Sequence, residues 1–118
     1  MGYSKSNNNL LGRTLSLSRN FILLIPKFEK NETNKILIRQ ALRSITSIGA
    51  NYREACEAES SKDFVHKIRL SKKEARESEY WLLLLSDGNK KLANEVNTII
   101  DECTQLVKIF STIVSKFK

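Results

Sequence analysis

The sequence predicts an all-α fold: an antiparallel up-down four-helix bundle with long helices and short loops. Apolar residues recur at steps of three and four along almost the whole chain, which is the pattern of helices with one buried face. One Pro and four Gly in 118 residues leave few turn signals, so the elements are few and long. Short polar breaks between long helical stretches make successive helices antiparallel neighbours. No alternating, strand-like pattern competes.

A chain of this length predicts a single domain that buries roughly 65% of the surface its unfolded form exposes. The expected domain spans residues 10–118. The polar opening MGYSKSNNN, residues 1–9, is expected to be disordered. It has no apolar core of the kind a signal peptide carries.

The first helix is expected from about Leu10 to Ile25. Leu10, Leu17, Phe21, Leu24 and Phe28 share one stripe, and Leu11, Leu15, Ile22 and Ile25 form a second stripe beside it. Pro26 disfavours helical geometry at the residue before it and ends this helix. Lys27 to Asn31 read as a polar connection. The second helix starts between Asn31 and Thr33, either of which can cap it. Its buried face is expected at Ile38, Ala41, Ile45, Ile48, Tyr52 and Ala55. Gly49 costs about 1 kcal/mol relative to Ala inside a helix. With Ser47 and Ala50 it forms a patch of small residues, which predicts close approach of another helix.

Ser60-Ser61-Lys62-Asp63 predicts the cap of the third helix, with an acid in the favourable first turn. Its seam is Phe64, Ile68, Ser71, Ala75, Ser78, Leu82 and Leu85. That seam is large at both ends and small at the centre, so it predicts room for a bulky or polar group such as Tyr52 or an arginine. Ser86-Asp87-Gly88-Asn89 closes this helix and opens the next. Leu92, Val96, Ile99, Cys103, Leu106, Phe110, Ile113 and Phe117 define the fourth helix, roughly 40 Å long at 1.5 Å per residue. Ile100, Val107 and Val114 widen its stripe.

The formal charge is +7. Residues 1–50 contain 8 basic and 2 acidic side chains, and residues 51–118 contain 12 and 11, so the surplus lies in the first half. Such asymmetry suits an anionic partner, nucleic acid above all, and equally a plain solubilising surface. No apolar run approaches the length of a membrane span, so a cytoplasmic protein is expected.

The chemistry-bearing residues are sparse. A di-iron bundle needs two acid-x-x-His motifs. Asp63-Phe64-Val65-His66 has the spacing, but His66 is the only histidine. Cys56 and Cys103 share no ligand spacing with it and belong to no CxxC pair, so reduced thiols in or near the core are expected. No Gly-rich phosphate loop is present. Neither a metal nor a cofactor is therefore expected, and no catalytic residue stands out. Arg39, Arg43 and Arg53 share one flank of the second helix. Their guanidinium groups suit phosphate contact or pairing with Glu74, Glu77 or Glu79 on the third helix. Arg43, beside buried-face residues, is read as the interhelical partner of Glu74 and Glu77. Arg13, Arg19, Lys27, Lys35, Arg39 and Arg53 are the candidate nucleic-acid contacts, with Lys30 adding exposed charge. Tyr80, Trp81 and Leu84 flank the third seam. They are either buried by the bundle or form a subunit contact, where such aromatics are enriched.

The runs Ile45-Thr46-Ser47-Ile48-Gly49-Ala50-Asn51-Tyr52-Arg53-Glu54-Ala55, Lys62-Asp63-Phe64, Lys73-Glu74-Ala75-Arg76-Glu77 and Tyr80-Trp81-Leu82 occur in that order. Together they resemble the bacterial four-helix-bundle proteins encoded in intervening sequences of 23S rRNA genes. The resemblance covers about residues 10–118. It implies a homopentamer of four-helix bundles, and kinship with the accessory variability determinant of diversity-generating retroelements. That relative is a basic pentamer that binds nucleic acid and a reverse transcriptase. The expectation is therefore a non-enzymatic homo-oligomer that binds RNA or DNA through its first two helices. The alternative is an adaptor that docks a reverse transcriptase or another nucleic-acid enzyme.

Overall fold

The computed structural model describes residues 8–117. Four helices run in sequence: α1 (Asn8–Leu24), α2 (Glu32–Cys56), α3 (Ser61–Gly88) and α4 (Ala93–Ser115). Short 3-10 turns at Ile25–Lys27 and Lys90–Leu92 lead out of α1 and into α4. Residues 1–7 of the expected disordered opening lie outside the described residues, and Asn8 and Asn9 already belong to α1.

Helix ends follow local chemistry. Pro26 sits in the first turn of the 3-10 segment that replaces the helix after Leu24. The Asn31 side chain accepts the Asn34 backbone N–H at 2.8 Å and caps α2. Ser60 does the same for α3, accepting from Asp63 N at 3.0 Å. The fourth helix is shorter than its apolar pattern at both ends. Leu92 lies in the 3-10 turn and Phe117 beyond the last helical turn, yet both pack against the core.

Pairs of facing residues establish the antiparallel order. Across α2 and α3, Asn34 meets Asn89, Ser44 meets Ser78, Ile48 meets Ser71 and Glu54 meets Lys67. Across α3 and α4, Glu79 meets Thr104 and Ser86 meets Asn97. One partner's number rises as the other's falls. Helix α1 packs on both α2 and α4, which closes a four-sided bundle of 45 × 21 × 19 Å.

All seven seam residues of α3 are buried. At its small centre two serines hydrogen-bond to α2, one to a backbone carbonyl and one to another serine. Ser71 Oγ donates to the Ile48 carbonyl at 2.9 Å, and the Ser78 and Ser44 hydroxyls lie 2.8 Å apart. Ser78 Oγ has both Ser44 Oγ and the Glu74 carbonyl as acceptors within 2.8 Å, and the Ser44 hydroxyl donates to the Ala41 carbonyl at 3.2 Å. Tyr52 is buried too, with its ring 6.1 Å from that of Phe110.

The close approach predicted at Gly49 is made by α1. A Cβ at Gly49 would lie 3.0 Å from Thr14 Oγ1 and 3.1 Å from Thr14 Cβ. Thr14 is itself buried and tied to α1, its hydroxyl donating to the Leu10 carbonyl at 2.8 Å. A Gly49→Leu variant should therefore lose about 1–3 kcal/mol through overpacking, read as a lower midpoint of urea unfolding. An unchanged midpoint would mean that α1 does not press on α2 there.

Candidate nucleic-acid interface

Helix α1 contains no acidic residue. Its Arg19, and Lys27 after it, are exposed. On α2, Lys35, Arg39 and Arg53 are exposed and fall on one flank with Thr46 and Ala50. None of these five cations has an ion pair among the described residues. Arg53 borders a shallow groove of about 250 Å³ between α1 and α2, whose walls include Leu11, Leu15 and Ala50. The second apolar stripe of α1 thus lies outside the core, with Leu11, Leu15 and Ile22 exposed and only Ile25 packed against it.

Arg13 departs from the expectation of a solvated, free cation. Its guanidinium grips Glu102 of α4 with two bonds, Nε to Oε2 at 2.9 Å and Nη2 to Oε1 at 2.7 Å. That hydrogen bonding holds Arg13 even more firmly in its charged form. The sequence reading lacked the register of α1 against α4 needed to see this pair.

Arg43 pairs as expected with Glu74, at 3.3 Å, and with Glu77. Glu77 also accepts the Trp81 indole N–H at 3.0 Å. The Trp81 bond first, with Arg43 adding to it, holds the Glu77 carboxyl below its ordinary range. Although its neighbours on α2 are buried, the Arg43 side chain is 48% exposed, so this pairing lies at the surface. Tyr80 and Leu84 are 58% and 37% exposed, and Leu83 beside them is 51% exposed. Trp81 is half-buried, edge-on to Tyr80 with ring centroids 5.1 Å apart. The bundle therefore leaves Tyr80, Leu83 and Leu84 exposed.

Sequence reading missed a polar lock at one end of the bundle. The buried Asn34 donates to the Glu29 carbonyl and exchanges reciprocal amide bonds of 2.9 Å with Asn89, which also donates to the Leu85 carbonyl. The usable signal was that Asn34 occupies the buried register of α2, four residues before Ile38 and seven before Ala41.

Cys56 and Cys103 are free thiols. Burial, with Glu79 and Glu102 adding to it, pushes the Cys103 thiol up to about 12, so it is a poor nucleophile. Burial and a hydrogen bond with Cys56 also raise the Tyr52 hydroxyl above its ordinary range. Among the described residues, no three His, Cys, Asp or Glu side chains come together as metal ligands. No described helix is long and apolar enough to cross a membrane.

The exposure of Arg43 sets the cost of removing it. Exposed ion pairs contribute about 0–1 kcal/mol, so Arg43→Ala should cost no more than that in equilibrium unfolding. A loss of about 3 kcal/mol or more would indicate a buried, uncompensated acid instead.

A crystal structure of a protein of unknown function from the S23 ribosomal protein family of Bacteroides thetaiotaomicron superposes with a TM-score of 0.78. It is 33% identical, and the match covers 88% of this chain and 96% of that one. None of the curated proteins compared matches the chain. The family model for the 23S rRNA-intervening sequence protein matches residues 7–112, nearly the whole described bundle. The chain therefore belongs to the 23S rRNA-intervening sequence protein family.

Proposed function

We propose that this protein is a non-enzymatic, cytoplasmic homo-oligomer that binds RNA or DNA through the phosphate backbone. The observation that carries the reading is the set of exposed, unpaired cations on α1, α2 and their connection: Arg19, Lys27, Lys35, Arg39 and Arg53. Cations without internal partners are available to phosphates, and Arg adds bidentate geometry. Arg13 is left out of this surface because Glu102 holds it. The resemblance within the family supports a pentamer, and the patch at Tyr80, Leu83 and Leu84 supplies an apolar surface for the contact.

A second reading is an adaptor that docks a reverse transcriptase or another nucleic-acid enzyme. The exposed Leu11, Leu15 and Ile22 on α1 favour it, because phosphates have no use for an apolar wall.

Assembly is tested by light scattering. The parent should give several times the 13.5 kDa monomer mass, and Tyr80→Glu with Leu84→Glu should reduce it to the monomer. A monomeric parent would remove the oligomer from the reading.

Binding is tested by salt titration on a generic duplex. The logarithm of affinity should fall linearly with the logarithm of salt concentration, with a slope of about 0.9 per neutralised phosphate. Reversing Arg19, Lys35 and Arg39 to Glu should weaken binding equally for all sequences, since phosphate contacts hold no base information. If the parent at micromolar concentration does not bind at low salt, direct binding is wrong and the adaptor reading remains.

A further inference from the structure

The second half of the chain is close to neutral in sum, but its charges are sorted by direction. On α3, Lys62, His66, Arg69, Lys73 and Arg76 follow steps of four, three, four and three, and all five are exposed. Such steps keep side chains on one face of a helix. The stripe is about 21 Å long, at 1.5 Å per residue. It stops one turn before Tyr80 and the apolar patch.

Three carboxylates of α3 have partners on the neighbouring helices, and one of them, Glu79, also pairs with Arg76 of the stripe. Glu74 and Glu77 face Arg43 of α2. Glu79 accepts the Thr104 hydroxyl of α4 at 2.6 Å. Arg76 lies 3.7 Å from Glu79 at the stripe's edge, yet its side chain stays 65% exposed. Asp63 stands in the capped first turn, its backbone N–H held by Ser60. Beside the lower end of the stripe is a depression of about 490 Å³, lined by Lys62, His66, Arg69 and Phe117.

We propose that the outer face of α3, from Lys62 to Arg76, is a linear phosphate-binding ridge that lies along a nucleic-acid backbone. This rests on the nucleic-acid reading above and adds a second surface that the half-by-half charge sum conceals. Four cations along the stripe, with the His66 imidazole between Lys62 and Arg69, suit a polymer with repeated charge. The basic part of the stripe carries no apolar residue on its outward positions, which distinguishes it from a helix that lies in a membrane surface. Its length spans about six base pairs at 3.4 Å each. It identifies no bases, since all of its donors are suited to phosphate.

The test uses Lys62→Gln, Arg69→Gln and Lys73→Gln combined in the full chain. These side chains are exposed, so helicity by circular dichroism and mass by light scattering should match the parent. On a 20-base-pair DNA duplex followed by fluorescence anisotropy, the salt slope should fall by about 2.7, three contacts at 0.9 each. A triple variant that keeps the parent's slope, while the parent itself binds, overturns the ridge and leaves the α1–α2 reading standing. A parent that does not bind the duplex at low salt overturns both. A triple variant that loses binding to poly-L-glutamate but keeps its duplex affinity assigns the ridge to an acidic protein and overturns the nucleic-acid proposal.

Discussion

The close approach of α2 and α3 is the constraint on which the rest of the molecule depends. Ser44, Ser71 and Ser78 are small enough to bring the two backbones together, and each hydroxyl has a partner. Packing polar groups in a core is costly unless they are hydrogen-bonded, and here they are. That contact fixes the rotation of α3. Once Ser78 faces Ser44, Glu74 and Glu77 are placed beside Arg43, and Glu79 is placed beside Thr104 of α4. The positions left for solvent are those of Lys62, Arg69, Lys73 and Arg76. One choice of small residues in the seam thus decides which charges are interhelical partners and which face solvent.

The same logic orders the ends and the first helix. The Asn34–Asn89 amide pair joins the connection between α1 and α2 to that between α3 and α4, at a point where backbone carbonyls need donors. Helix α1 is held differently. It has Thr14 pressed against Gly49 and Arg13 locked onto Glu102, while a whole apolar stripe stays outside the core. A helix with that much exposed apolar surface is suited to a second contact.

The number, order and type of the helices were legible in the sequence because the periodicity is long and unbroken. The cap at Ser60, the break at Pro26 and the complete α3 seam follow from local chemistry, and of the two residues able to cap α2 it is Asn31 that does so. Gly49 was legible as a close approach, though not which helix made it. What escaped the reading depended on rotation and register between helices. Arg13 looks solvated in one dimension because Glu102 is 89 residues away. Arg43 looks buried because its neighbours are, while its side chain reaches out to the edge of the seam. The Asn34–Asn89 lock joins a buried position in the first turn of α2 to the polar break after α3, 55 residues away.

The candidate site shows most clearly why a charge sum is a poor guide to a surface. Summed by halves, the chain places its cations in α1 and α2, and α3 reads as a mixed, compensated helix. Compensation, however, requires proximity. At the surface, an ion pair falls off within about 8–10 Å in physiological salt. The carboxylates of α3 neutralise Arg43 and serve Thr104 and Trp81 on its flanks, and Glu79 also pairs with Arg76 at the edge of the outer line. A partner meets local potential rather than net charge. In a four-helix bundle every helix has one buried stripe, two flanks and one outer line. Acids on the flanks and bases on the outer line give a neutral helix with a basic face.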